Sequence, residues 1–90
     1  MDRAAVADQL RSALRDVAGL PATDLESITV LVDAGELGIA LETLCTQIYE
    51  YDVELNRLQR SRLEDLGRVL SVEVPYLLGD PWADTPSRED

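Results

Sequence analysis

Leu37-Gly38-Ile39-Ala40-Leu41-Glu42-Thr43-Leu44-Cys45-Thr46-Gln47-Ile48-Tyr49-Glu50-Tyr51 is the stretch that decides the fold. Leu37, Leu41, Leu44, Cys45 and Ile48 recur at steps of three and four, the period of one face of an α-helix. The spacing predicts a helix that begins near Glu36 or Leu37 and runs to about Tyr51. Gly38 falls in its first turn, where a missing side chain would let a neighbouring helix approach closely.

Working backwards, Gly35 closes a second apolar pattern, Leu25, Ile28, Leu31 and Val32. Thr23-Asp24-Leu25-Glu26 has the form of a capping box at its start. Further back, Val6, Leu10, Ala13, Leu14 and Val17 mark a first helix over Asp2 to Ala18, with Arg11 and Arg15 on the opposite side. Gly19 and Pro21 stop it. Working forwards, Asn56-Arg57-Leu58-Gln59 is another capping box and opens a fourth helix. That helix is expected to bury Leu58, Leu63 or the stem of Arg62, Leu66, Val69 and Leu70. Gly67 inside it disfavours helix by roughly 1 kcal/mol relative to Ala, which points to a close contact there.

Val72-Glu73-Val74-Pro75 reads as extended, with Pro75 ending any helix. Gly79 to Pro86 is rich in turn formers and is expected to be irregular, the last six residues or so disordered. The expected fold is all-α: a compact four-helix bundle over residues 1–78, with a flexible tail over 79–90 that contains Trp82. Composition agrees. Leu and Ala dominate the 46% hydrophobic content, Phe is absent, and ninety residues make one domain of modest stability.

Charge is unevenly placed. Between Leu20 and Leu55 stand Asp24, Glu26, Asp33, Glu36, Glu42, Glu50, Asp52 and Glu54, with no Lys, Arg or His among them. Met1 to Gly19 is neutral, Asn56 to Ser71 carries a net +2, and the formal charge of the whole chain is −10. An acidic balance argues against direct nucleic-acid binding and against anionic membranes, both of which need basic surface. It points to a basic partner. The plainer alternative is a solvated face that keeps the protein in solution. Glu50, Asp52 and Glu54 resist it, because carboxylates at a helix C-terminus oppose the helix dipole. Tyr49 and Tyr51 beside them have the character of interface anchors. Tyr51 continues the Leu44–Ile48 stripe and is expected to pack inward, leaving Tyr49 as the exposed one. The candidate partner-binding residues are Asp33, Glu36, Tyr49, Glu50, Asp52 and Glu54.

Catalysis is not expected. With no His, neither a Ser–His–Asp triad nor a Cys–His dyad can be assembled. Cys45, the lone cysteine, falls on the apolar stripe as a small core residue and leaves no internal disulfide to form. No window has the EF-hand pattern, and Asp33 and Glu36 flank a turn glycine rather than a metal. No cofactor or metal is expected. Without a signal peptide or a membrane-length apolar run, the expectation is a soluble, cytoplasmic protein; the sequence leaves its oligomeric state open and favours a monomer.

Two resemblances enter here. Glu26-Ser27-Ile28 is similar to the Asp-Ser-Leu motif of acyl carrier proteins, which would make Ser27 a phosphopantetheine site. The stretch from Gly19 to Ser27 is shorter than the loop those proteins place there. Asp33-Ala34-Gly35-Glu36-Leu37-Gly38-Ile39-Ala40-Leu41-Glu42-Thr43-Leu44, Tyr49-Glu50-Tyr51-Asp52 and Leu63-Glu64-Asp65-Leu66-Gly67 together resemble small bacterial immunity proteins of the MafI type, over roughly Ile28 to Val72. That resemblance implies a protein that binds and neutralises one cognate bacterial toxin, often a nuclease with a basic active-site surface. The remaining alternative is a non-catalytic helical interaction module of another kind.

Overall fold

A computed structural model of the chain describes residues 2–79. It is all-α, with four substantial helices and a fifth of one turn: α1 (Arg3–Asp16), α2 (Ala22–Asp33), α3 (Leu37–Glu50), α4 (Arg57–Leu70) and α5 (Val74–Leu77). The tail expected over residues 79–90, Trp82 included, lies outside the described residues apart from Gly79.

The opening stretch is the centre of the molecule. α3 packs against every other helix, and Ala40, Leu41, Leu44 and Cys45 are fully buried on it. Burying a Leu side chain this completely stabilises by roughly 1.5–3 kcal/mol. α1 supplies Val6, Leu10, Ala13 and Leu14, and α4 supplies Leu63 and Leu66. α2 is peripheral: only Ile28 and Val32 are buried, while Leu25 and Leu31 are half-buried against the core. α2 and α4 do not touch, so they stand diagonally across the bundle.

The caps explain where helices start and stop. Asp2 caps α1 by accepting from the Ala5 amide at 2.8 Å. α1 ends at Asp16, two residues earlier than its apolar period suggests, and Val17 and Leu20 reach the core from the connection instead. The end is fastened from α4, where the Gln59 side-chain amide donates to the Asp16 carbonyl and Arg62 pairs with the Asp16 carboxylate at 2.6 Å. α2 ends in a Schellman motif: Glu36 N–H donates to the Leu31 carbonyl, Gly35 N–H to that of Val32, and Gly35 takes φ +81°. Asn56 and Gln59 form the reciprocal capping box expected at the start of α4.

Five sequence expectations need correction. Thr23 is not a cap; the cap is Pro21 and α2 begins two residues earlier than a Thr23 cap implies, at Ala22, because extended Pro21 lets its carbonyl accept from Asp24 and Leu25. Pro75 does not end a helix but sits in the first turn of α5, where its missing N–H leaves no bond unmade. Leu58 and Val69 are surface residues, 73% and 48% exposed, because α4 is covered only along its Leu63–Leu66–Gly67 stripe. Gly38 has nothing within 4 Å of where a Cβ would stand, so no helix approaches it closely. Tyr51 does not pack inward; it is half exposed, because α3 ends at Glu50 and the chain turns there. The expected contact at Gly67 is present: a Cβ there would meet the Val72 carbonyl and Val74 Cγ2 at 2.6 Å.

Cys45 is sealed in the core, and burial pushes its thiol up to about 12 from an ordinary 9.0, against the opposing pull of the Arg60 cation. The sign of the linkage follows. The folded state holds this proton more tightly than the unfolded state. The contribution is therefore complete below about pH 9 and is lost as pH rises towards about 12. Denaturant titrations across that window are expected to show stability falling with pH, with a shallower fall in Cys45→Ala. Equal slopes for the two proteins would contradict the buried-thiol account.

Candidate partner-binding surface

α2 and α3 form an antiparallel hairpin joined through Ala34, Gly35 and Glu36. At 1.5 Å per residue α3 is about 20 Å long, so the six sequence-selected residues divide between its two ends. Asp33 and Glu36 lie at the turn. Tyr49, Glu50, Asp52 and Glu54 lie at the far end, where α3 gives way to the connection to α4.

At the turn, folding accounts for the acids. Asp33 pairs with Arg11 of α1 at 3.0 Å, and the same guanidinium reaches Asp8 at 3.4 Å. Arg3 donates to the Gly35 carbonyl alongside. Glu36 sits at the start of α3, where a carboxylate meets the positive end of the helix dipole. Exposed ion pairs of this kind are each worth roughly 0–1 kcal/mol, enough to rationalise Asp33 without a partner.

The far end is different. Glu50 is the last residue of α3, and its carboxylate stands at the negative end of the dipole. Asp52 occupies the left-handed position of a second Schellman motif with φ +53°, Val53 N–H donating to the Ile48 carbonyl and Asp52 N–H to that of Tyr49. Glycine favours that conformation and Asp only tolerates it. Glu54 follows, exposed. The two tyrosines frame the group, 59% and 50% exposed. The Tyr49 ring is laid against Gly79, where an added Cβ would stand 2.5 Å from its edge. Asp24, at the start of α2, lies close enough to Tyr51 to act on its hydroxyl. Hydrogen bonding to Asp24 and then its negative charge raise the Tyr51 pKa, with smaller contributions from burial and Glu50.

Asp24 is therefore a member of this cluster that sequence reading missed. Read from the sequence, a capping box of Thr23 and Glu26 accounts for the acids at the start of α2. With Pro21 as the cap the box lapses, and Asp24 falls in the first turn of α2, where the helix dipole favours a carboxylate as it does at Glu36; the hairpin also brings it to the end of α3. The available signal was Pro21 itself, whose fixed φ already favours the start of a helix.

The ion pairs leave most of this charge uncompensated. Among the described residues, Arg11 holds Asp8 and Asp33, Arg60 holds Glu64, Arg62 holds Asp16 and Arg68 holds Asp65. Of the eight acids between Leu20 and Leu55, Asp33 is the one with an ion pair among them. Arg60 reaches the far end; with Ile48, Tyr49, Asp52, Val53 and Leu78 it lines a concavity of about 120 Å³. That is well below the roughly 300 Å³ at which small-molecule sites begin. The region is an open surface rather than a deep pocket.

Ser27 is exposed on the sixth residue of α2, away from the helix start where a carrier protein presents its serine. Among the described residues no group of three or more His, Cys, Asp and Glu side chains is placed to hold a metal, and no helix is long and apolar enough to cross a membrane. Comparison with protein families, with curated proteins and with solved structures finds no match to this chain.

Proposed function

We propose that this protein is an immunity protein of the MafI type, which neutralises a cognate bacterial toxin by seating the acidic end of its α2–α3 hairpin on a basic surface of that toxin. The supporting observation is the juxtaposition of Asp24, Glu50, Asp52 and Glu54 around two exposed tyrosines, with none of the four acids in an ion pair among the described residues. Folding gives no reason for Asp52 to hold a left-handed position that glycine would fill better, or for Glu50 to face a helix dipole. Binding a cation-rich partner supplies one.

The chemistry of such a partner is consistent with a nuclease. An enzyme that cleaves a phosphodiester must attract phosphate and so presents a basic site. An acidic protein is steered onto it by the field, and no reaction is needed for inhibition. Tyr49 and Tyr51 then serve as rigid anchors, their rings desolvated and their hydroxyls available to polar groups at the rim. Occupation of the active site and occupation of a basic surface beside it would both neutralise the toxin. The cytoplasmic location expected from the sequence belongs with this reading.

The test uses the gene next to this one. The C-terminal domain of a large secreted protein encoded there, expressed alone in a sensitive bacterium, should arrest growth, and co-expression of this protein should restore it. Failure to restore growth, with both proteins present in the cell, would count against the proposal.

A further inference from the structure

We propose that a second copy of this chain docks on the outer face of α4, forming a two-fold symmetric antiparallel helix pair. The inference is independent of the toxin reading. It starts from Leu58 and Val69, which periodicity assigns to the core and the fold leaves on the surface. With Ser61, Arg62, Asp65 and Leu66 they line an open groove of about 310 Å³ beside Gln9 of α1.

The occupant follows from spacing and charge. Leu58, Arg62, Asp65 and Val69 are separated by four, three and four residues, the seam spacing of a coiled coil. In an antiparallel pair centred between Leu63 and Glu64, position numbers on facing residues add to 127. Leu58 then meets Val69 of the second copy, Arg62 meets Asp65, and Asp65 meets Arg62, each pair occurring twice about the axis. In the same register Arg57 faces Leu70, Arg60 faces Gly67 and Arg68 faces Gln59, so no like charges are opposed. A self-complementary patch of this kind is what a two-fold interface requires. The polar pair at its centre would fix the register, as single polar residues do in coiled-coil seams. Within one chain Arg62 already holds Asp16, but a guanidinium has five N–H donors and can serve both carboxylates.

The face also fits the charge of the whole molecule. Two chains of formal charge −10 repel unless they meet away from their acids. α4 belongs to the one segment with a net positive charge, and it does not touch α2. A patch of one helix face falls below the area of permanent dimers, so the association is expected to be weak and concentration-dependent.

Sedimentation equilibrium on the full-length chain tests this. The wild-type protein should pass from monomer to dimer as its concentration is raised towards millimolar. R62D, acidic at both central positions, and D65R, basic at both, should each stay monomeric, while an equimolar mixture should dimerise. Circular dichroism checks that each variant is folded. Should R62D fail to fold beside Asp16, L58E replaces it as the disruptive variant and should stay monomeric where the wild type dimerises. A wild-type chain that remains monomeric to millimolar concentration overturns the proposal, as do single variants that dimerise like the wild type.

Discussion

Asp52→Gly is expected to make the protein more stable and a poorer binder at the same time. Asp52 holds φ +53° at the end of α3, a conformation that Gly adopts without steric strain. The substitution also removes a carboxylate from the negative end of the helix dipole. The two gains, less the larger entropy of an unfolded Gly, should raise stability by about 0.5–1 kcal/mol in denaturant unfolding. Binding should move the other way. Combined with Glu50→Gln and Glu54→Gln, the variant loses three of the four charges at the acidic end. Its association rate with the basic toxin domain should fall about 10- to 100-fold at low salt. The difference from wild type should narrow at physiological ionic strength, where the Debye length is about 8 Å. Stopped-flow association at the two salt concentrations measures this. A triple variant that binds as fast as wild type, with the same salt dependence, would show that these acids are surface charge alone. The opposite signs of the two effects separate loss of a binding surface from loss of fold.

The largest effect on stability is expected at Gly67. In most helix interiors Gly→Ala stabilises by about 1 kcal/mol. Here the new methyl would stand 2.6 Å from the Val72 carbonyl and 2.6 Å from Val74 Cγ2, far inside the 3.5–4.0 Å of comfortable contact. The carbonyl is backbone, and Val74 is fully buried, so neither can step aside. The chain leaving α4 would have to move, and with it the bond from Val72 N–H to the Gly67 carbonyl at 2.9 Å. Gly67→Ala should therefore destabilise by about 2–3 kcal/mol. Gly38→Ala is the control. It is the same substitution in a helix of the same length, with nothing within 4 Å of the new methyl. It should stabilise by about 0.5–1 kcal/mol. Equal effects at the two positions in parallel urea titrations would refute the packing described for α4 and α5.

The α3 stripe was fully legible because a helix packed on several sides must bury a wide face, and Leu37, Leu41, Leu44, Cys45 and Ile48 write that face into the chain. Helices at the rim were harder. Leu58 and Val69 follow the apolar period of α4 as faithfully as Leu66 does, yet periodicity reports which residues share a face and not whether anything covers it. Pro75 misled because proline disfavours a helix interior but suits its first turn, and sequence alone does not say which turn it occupies. The acidic cluster was partly visible. The oddity of carboxylates at the end of α3 could be inferred from helix dipoles, whereas the approach of Asp24 to Tyr51 required the hairpin to be built. Asp33 and Glu36 belong to the same cation-free acidic run of the sequence as Glu50, Asp52 and Glu54, and the length of α3 separates them from the other three.

Amide hydrogen exchange on this protein, free and bound to the cognate toxin domain proposed for it, tests the central claim most directly. Protection on binding is expected over residues 22–27 and 47–56, the two chain segments that meet at the acidic end. Protection confined to α1 or to the outer face of α4, with those segments unchanged, would contradict it.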